Sequence, residues 1–343
     1  MINKYANLLN QLKAGSMDEV DNEDINSRVL IIDGLNTFIR SYAASPVMNT
    51  DGVHVGGISG TLLSIGHAIK FINPTRVIVV FDGKNGSQKR RQMYSEYKSN
   101  RKVKIRLNRS EEIENQDNQL QQLLRLTEYL TVLPITVLTL DATEADDVIA
   151  YIASDYLKSR NSQAFIMSSD KDFLQLVDDS IHIWSPTKKK LYYTQDVVDQ
   201  YQIYPHNFAL YRAITGDTSD NIKGVPGIGD KTLLKKLPII SSSDSIQVSD
   251  ILNSAANQKG KVYESVLNSK ELLELNYSLM QLRESNMSMQ NKMKIIDTLQ
   301  QPMEKTAKLK FYTMINEDKM MNAIKGVNVW LSEITQKLDK FVG

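Results

Sequence analysis

Asp33, Asp82 and Asp170 each close a short apolar run, Val29–Asp33, Arg76–Asp82 and Ala164–Asp170. A lone Asp in that position is most often a turn former or a helix cap, but three of them make a constellation. Further acids join them: Glu144, Asp146 and Asp147 in Glu144-Ala-Asp-Asp147, Asp172 two residues after Asp170, and Asp217 with Asp220 in Gly216-Asp-Thr-Ser-Asp-Asn221. Crowded carboxylates repel one another, and some stay protonated unless a cation neutralises them. Together these acids could hold two divalent ions and leave positions for water and phosphate. Two such ions can activate an attacking water and stabilise the leaving oxygen of a phosphodiester. The sequence has no cysteine and only four histidines, no two close in sequence. Thiolate nucleophiles, cysteine zinc sites and a histidine cage are therefore excluded or disfavoured, and oxygen ligands point to Mg²⁺, with Mn²⁺ as a substitute. No Walker loop G-x-x-x-x-G-K-[ST] and no Ser/His/Asp arrangement competes.

Two features speak for a polyanionic substrate. Ten basic residues lie between Lys84 and Arg109, among them Arg90, Arg91, Lys98 and Arg101, against one acid, Glu96. Tyr94 and Tyr97 interleave with them, which suits phosphate contact with base stacking. Glu111, Glu112, Glu114 and Asp117 follow as an acidic patch. The second feature is Ile222-Lys-Gly-Val-Pro-Gly-Ile-Gly-Asp-Lys231, a glycine hairpin leading into a helix. Gly224, Gly227 and Gly229 permit close backbone approach, backbone N–H groups at the helix start can bind phosphate, and Lys223 and Lys231 flank the turn. This is the pattern of a helix-hairpin-helix that grips duplex backbone without reading sequence. Its turn carbonyls fit a monovalent ion such as K⁺.

These residues need elements to position them. The apolar runs at 29–33, 76–82, 135–138 and 164–170 read as strands buried on both faces. Helical patterns at about 57–72, 118–131 and 143–158 separate them, the last with Thr143 or Asp141 as its cap. Alternating strands and helices give a parallel sheet with right-handed crossovers, whose carboxyl ends share one crevice where ligands bind. From about Tyr204 the strand signals fade, and short helices separated by Gly, Pro and Ser take over. Residues 317–342 read as helix, with Trp330, Ile334, Leu338 and Phe341 as an apolar stripe that docks on the protein's own core. The expected division is an extension at 1–25, an α/β domain at 26–203 and a helical domain at 204–343.

The 343 residues suit two domains. No apolar run approaches a membrane span, and the polar start is no signal peptide. The expectation is a cytoplasmic protein, in the host cytoplasm if phage-encoded, without membrane contact.

In order along the chain stand Asp33-Gly-Leu-Asn36, Phe81-Asp-Gly83, Tyr97-Lys-Ser-Asn-Arg101, Glu144-Ala-Asp-Asp147, Ser169-Asp-Lys-Asp-Phe173 and Gly216-Asp-Thr-Ser-Asp-Asn221, followed by Gly224-Val-Pro-Gly-Ile-Gly229. The series resembles the flap endonuclease/5′–3′ exonuclease family, especially its stand-alone bacteriophage branch of the phage ribonuclease H type. The match covers about Val29 to Leu237. The resemblance implies a PIN-like α/β nuclease domain with a helical arch at about 89–118, then a helix-three-turn-helix domain with its hairpin at about 216–237. It implies cleavage of 5′ flaps, nicked duplex DNA and RNA–DNA hybrids to 5′-phosphate products, and removal of RNA primers in replication. By position, Asp33, Asp82, Asp146 and Asp170 match ligands of a tighter Mg²⁺, and Asp172, Asp217 and Asp220 the second-metal cluster. Glu144 and Asp147 would bind metal directly or through water. Lys98 and Arg101 match the arch pair on the scissile phosphate, with Arg90, Arg91 and Tyr97 beside them on nucleic acid. By analogy with phage relatives, a single-stranded-DNA-binding protein is an expected partner. A PIN-type ribonuclease would explain the strand-end acids but not the hairpin or the basic segment. A non-catalytic DNA-structure-binding protein would predict lost acids, and none is missing.

Overall fold

The computed structural model describes residues 24–100, 112–284 and 287–342, without the side chains of residues 112–115. Arg101 and the basic residues up to Arg109 lie outside the described residues, as do Glu111 and most of the expected N-terminal extension.

The four predicted runs form β1 (Arg28–Asp33), β2 (Arg76–Asp82), β3 (Thr136–Leu140) and β4 (Gln163–Met167). Two further strands, β5 (Ile181–Ser185) and β6 (Lys190–Tyr192), complete a six-stranded sheet of order β3-β2-β1-β4-β5-β6. Every neighbouring pair is parallel except β5 with β6. The register sets Asp33 opposite Val80 and Asp82 opposite Leu140, so both carboxylates reach the same carboxyl edge.

Strand side chains alternate between two cores, as the pleat requires. Val29, Ile31, Ile78, Val80 and Ile166 face α5 (Ala145–Tyr151), whose last turns widen into a π-turn at Ile152–Leu157. That core continues without a break into the second domain through Phe208, Ile214, Val225 and Leu233. Leu30, Ile32, Val77, Val79 and Phe165 face the opposite way, onto α1 (Gly34–Ala44), α2 (Gly56–Ile72) and α4 (Glu112–Thr131). A short helix, α3 (Gln88–Met93), precedes α4. After α6 (Thr194–Tyr201) the second domain runs through α7 (Phe208–Thr215), a two-stranded hairpin of β7 (Gly216–Asp217) and β8 (Ile222–Lys223), and α8 (Asp230–Lys236). It continues as α9 (Val248–Ala256), α10 (Lys261–Asn268), α11 (Lys270–Met280) and α12 (Met289–Gln300).

The structure differs from the sequence reading in three places. Neither Thr143 nor Asp141 caps α5: Glu144 holds the cap position without a side-chain cap bond. Thr143 Oγ1 instead accepts from Asn291 Nδ2 at 2.8 Å, and Asp141 Oδ1 from the Lys84 N–H at 3.3 Å. The expected helix at 317–342 is broken: residues 318–326 separate α13 (Lys308–Glu317) from α14 (Val327–Leu338), which starts after Gly326 in the left-handed region, φ 63°. Finally, residues 303–342, grouped by the sequence with the helical domain, pack on the first one. Met303, Phe311, Ile315, Trp330, Leu331 and Ile334 cover the α2 and α4 side of the sheet. Gly66 makes room for the Trp330 indole, since a Cβ there would collide with Nε1. The apolar stripe thus docks on the protein's own core, as expected.

Candidate active site

Asp33 ends β1 and opens α1, where its Oδ1 accepts from the Asn36 N–H at 3.1 Å. Its other oxygen accepts from Ser168 Oγ at 3.1 Å. Asn36 Oδ1 in turn accepts from Ser169 Oγ at 2.7 Å, which fixes the turn after β4 against α1. Asp170 follows on that turn and takes the Asp172 N–H at 2.9 Å. Asp82, at the end of β2, takes the N–H of Ala145 at 2.8 Å, which ties it to the start of α5 and so to Glu144, Asp146 and Asp147. Asp217 ends β7 and Asp220 lies in the turn between β7 and β8 of the second domain. Asp33, Asp82, Asp146, Asp170 and Asp217 line one cleft of about 1070 Å³, together with Lys98, Lys171, Arg40 and Arg212.

As the side chains stand, no three Asp, Glu or His groups among the described residues converge in metal-holding geometry. Protein cations hold several of the acids instead. Lys98 Nζ lies 2.5 Å from Glu144 Oε1. Arg90 forks onto Glu144 and both oxygens of Asp147, at 2.9 and 3.1 Å for the latter, and its Nε donates to the Leu279 carbonyl at 3.0 Å. Arg212 bridges Asp172 and Asp217.

Electrostatics follow from this crowding. Burial pushes the Asp33 carboxyl up to about 7, reinforced by Asp146 and Asp170. Asp172 also rises to about 7, from burial first and Asp170 second, against the pull of Arg212. Burial lifts Asp147 to about 6 despite Arg90. Burial also raises Asp82 and Asp170. Desolvation works against the Lys98 ammonium, but Asp146 and Glu144 outweigh it and hold it protonated. Such a set of acids, all oxygen donors with ionisation penalised by their neighbours, is chemically suited to a hard divalent cation.

Three expectations about the basic segment need correction. Lys98 is not helical: it sits in a turn with φ 55°, its N–H bonded to the Asp220 carbonyl at 2.9 Å. Arg90 and Tyr97, expected on a solvated face toward nucleic acid, are buried against protein groups. They are 8% and 3% exposed, and the Tyr97 hydroxyl donates to Glu144 at 3.3 Å. The acids at 144–147 draw these two side chains inward, while most of residues 88–100 remains exposed. Arg91 does face solvent. The same turn clasps the second domain: Asn100 Nδ2 donates to the Thr218 carbonyl at 3.1 Å, and Asn221 Nδ2 to the Glu96 carbonyl at 3.0 Å.

The glycine hairpin forms as read, with α7 and α8 flanking it. Gly224 lies too close to the Thr215 carbonyl for any Cβ. The left-handed turn residue is Gly227, φ 77°, whereas Gly229 is extended at φ −102° and caps α8. Lys223, Gly227, Gly229 and Lys231 all face solvent on one hairpin. Arg212, Ser168 and Asn36 were not singled out from sequence as site residues. A lone charge in the otherwise apolar Phe208–Thr215 was the available signal for Arg212.

With this geometry in place, comparison with known proteins decides the family. A 5′-3′ exonuclease N-terminal resolvase-like domain model matches residues 28–202, and a 5′-3′ exonuclease C-terminal SAM fold model matches residues 203–306. This chain belongs to the 5′-3′ exonuclease/flap endonuclease family. The 5′-3′ exonuclease of Buchnera aphidicola subsp. Acyrthosiphon pisum is 31% identical over 262 residues, covering 75% of this chain and 87% of the relative. The flap endonuclease Xni of Shewanella sediminis is 32% identical over 258 residues, 74% of this chain and 91% of that protein. Among solved structures, a bacteriophage T5 flap endonuclease in a pseudo-enzyme–product complex with DNA and metal ions superimposes with a TM-score of 0.61 at 24% identity, covering 85% of this chain and 99% of that one. The fold of this family member is thus a resolvase-like, PIN-like α/β domain followed by a helical domain. No helix among the described residues is long and apolar enough to cross a membrane.

Proposed function

We propose that this 5′-3′ exonuclease/flap endonuclease hydrolyses 5′ flaps, nicked duplex DNA and RNA–DNA hybrids to 5′-phosphate products, removing RNA primers in the manner of the phage ribonuclease H branch. The observation that carries the reading is the single cleft lined by Asp33, Asp82, Asp146, Asp170, Asp217 and Lys98. Its donors fit Mg²⁺ or Mn²⁺. Asp33, Asp82, Asp146 and Asp170 would hold the tighter ion and Asp172, Asp217 and Asp220 the second, with Glu144 and Asp147 acting directly or through water. When bound, the two ions would supply the charge that activates water and stabilises the leaving oxygen.

The chain's own groups do the rest. Asn36, Ser168 and the Ala145 N–H orient the strand-end carboxylates before substrate arrives. Lys98 stays protonated in the cleft, and a scissile phosphate can take over its bond from Glu144, placing the ammonium where negative charge grows. Arg101, three residues on, would add a second positive charge. Backbone N–H groups at Gly227 and Gly229, with Lys223 and Lys231, would grip duplex phosphates, and a K⁺ on the turn carbonyls would brace them. Labelled 5′-flap, nicked-duplex and RNA–DNA hybrid substrates, digested with Mg²⁺ and sized, test the reading. All three should yield short 5′-phosphorylated products. An uncut hybrid would overturn primer removal, and products bearing 5′-hydroxyls would overturn the assigned bond.

A further inference from the structure

Asp172 and Asp217 reach each other from different domains, Asp172 from the turn after β4 and Asp217 from β7. Between them stands Arg212. It is the one charged residue of α7, on a helix whose Phe208, Leu210, Ala213 and Ile214 are buried. Its Nε donates to Asp172 Oδ1 at 2.8 Å, one terminal nitrogen donates to Asp217 Oδ2, and the other to the Gly216 carbonyl at 3.3 Å. The remaining Asp217 oxygen takes the N–H and hydroxyl of Ser219, at 2.8 and 2.6 Å. Both oxygens of Asp217 and one of Asp172 therefore already carry donors.

The strand-end acids are built differently. Asp33, Asp82 and Asp170 take hydrogen bonds from neutral groups, the Asn36 N–H and Ser168 hydroxyl, the Ala145 N–H and the Asp172 N–H. None of the three carries an ion pair among the described residues, whereas Asp172 and Asp217 each do. One half of the cleft thus has carboxylates held by neutral donors, with Lys98 and Arg212 acting on Asp82 and Asp170 only through space, and the other holds a guanidinium fork whose geometry matches two carboxylates at once.

We propose that Arg212 is a built-in counter-ion of the Asp172–Asp217 pair and weakens binding of the second divalent cation until substrate arrives. The inference rests on the two-cation reading above. A guanidinium within about 5 Å of a divalent ion repels it by several kcal/mol even at the effective dielectric of a protein site. An ion at this pair must also displace the fork from Asp172 and Asp217. The same contact keeps the two acids, and with them the two domains, from repelling when no ion is present. Arg212 is a positioning residue in this account, and its effect is on ion occupancy rather than on the bond that breaks.

The test is Mn²⁺ titration of the substrate-free protein by isothermal calorimetry, with free Mn²⁺ followed by electron paramagnetic resonance. The native protein should bind one Mn²⁺ tightly and a second weakly. Arg212→Gln should tighten the second event by about tenfold or more, an increase that removing the repulsion predicts. Arg212→Lys keeps the charge and should stay near native. Arg212→Met fills the same space and supplies the neutral side chain should the Gln variant fail to fold. An unchanged or weaker second event in a folded neutral variant, with binding that Asp172→Asn still abolishes, would overturn the counter-ion role alone and leave Arg212 a strut between domains. Native protein that binds no Mn²⁺, or two events untouched by Asp172→Asn, would overturn the two-cation reading and the inference together.

Discussion

Arg90 offers the sharpest test of how this cleft is held together. It is 8% exposed, and it satisfies Glu144, Asp147 and the Leu279 carbonyl at once. Arg90→Met keeps most of the volume and removes the charge. Breaking a buried ion pair from one side costs about 3 to 5 kcal/mol, because the remaining charge is left uncompensated. Glu144 retains Lys98, so most of the loss falls on Asp147. Its folded pKa, about 6, already lies above the ordinary 3.8. A raised carboxylate pKa means that the folded state binds more protons than the unfolded one between those values, so stability falls as pH rises through that window. Arg90 lowers the Asp147 pKa; without it the folded value climbs and the falling window extends above pH 6. At pH 5 the Asp147 carboxyl of the variant is protonated and the missing guanidinium matters less. Each unit of further shift is worth about 1.4 kcal/mol, so the deficit at pH 8 should exceed that at pH 5 by about 1 to 3 kcal/mol. Urea unfolding followed by far-ultraviolet circular dichroism at both pH values measures it. An equal deficit at pH 5 and pH 8 would refute the charge argument and leave packing and the Leu279 bond as the whole contribution.

Asp82→Asn should lower Mg²⁺-dependent cleavage by orders of magnitude while duplex affinity survives, because the hairpin lies elsewhere; near-normal turnover would remove Asp82 from the metal set. Lys98→Ala should slow single-turnover cleavage with enzyme in excess more than it weakens substrate binding in Ca²⁺, and the reverse pattern would reduce Lys98 to an attractor. Gly227→Val should destabilise the fold by about 1 kcal/mol or more, since its φ of 77° disfavours a branched residue. Gly229→Ala, in extended backbone with open space around it, should cost less stability than Gly227→Val, only the modest penalty of Ala at a helix cap, and weaken duplex binding, as a salt-dependent affinity titration would show. Trp330→Ala should cost about 3 to 5 kcal/mol in denaturant unfolding, with the cleavage rate per folded molecule preserved.

The strands were legible because β-branched runs such as Val77-Ile-Val-Val80 have no other comfortable state, and Asp at their ends shows where the sheet opens. The hairpin was legible because Gly224 and Gly227 answer local backbone demands. The burial of Arg90 and Tyr97 was not, because it depends on acids 54 and 47 residues away. Locally their segment reads as a solvated charge run. The tail's docking was anticipated from its stripe, but its target was not, since Gly66 and Trp330 meet only through the fold. Arg212 was hidden for the same reason: its partners lie on two elements that the sequence does not show to be adjacent.

The way residues 303–342 pack on the α2 and α4 side of the sheet has a consequence for biosynthesis. A ribosome delivers the sheet, α2 and α4 before the layer that packs on them. The strands can pair and be covered by α1, α2 and α4 while the chain is growing, but the apolar surface of α2 and α4 that takes Phe311 and Trp330 stays wet until residues 303–342 have left the exit tunnel. Exposed surface of this kind is what chaperones bind and what drives aggregation. By the time that surface is sealed, the helical domain has necessarily been made, so a nascent chain cannot carry a finished α/β domain without it.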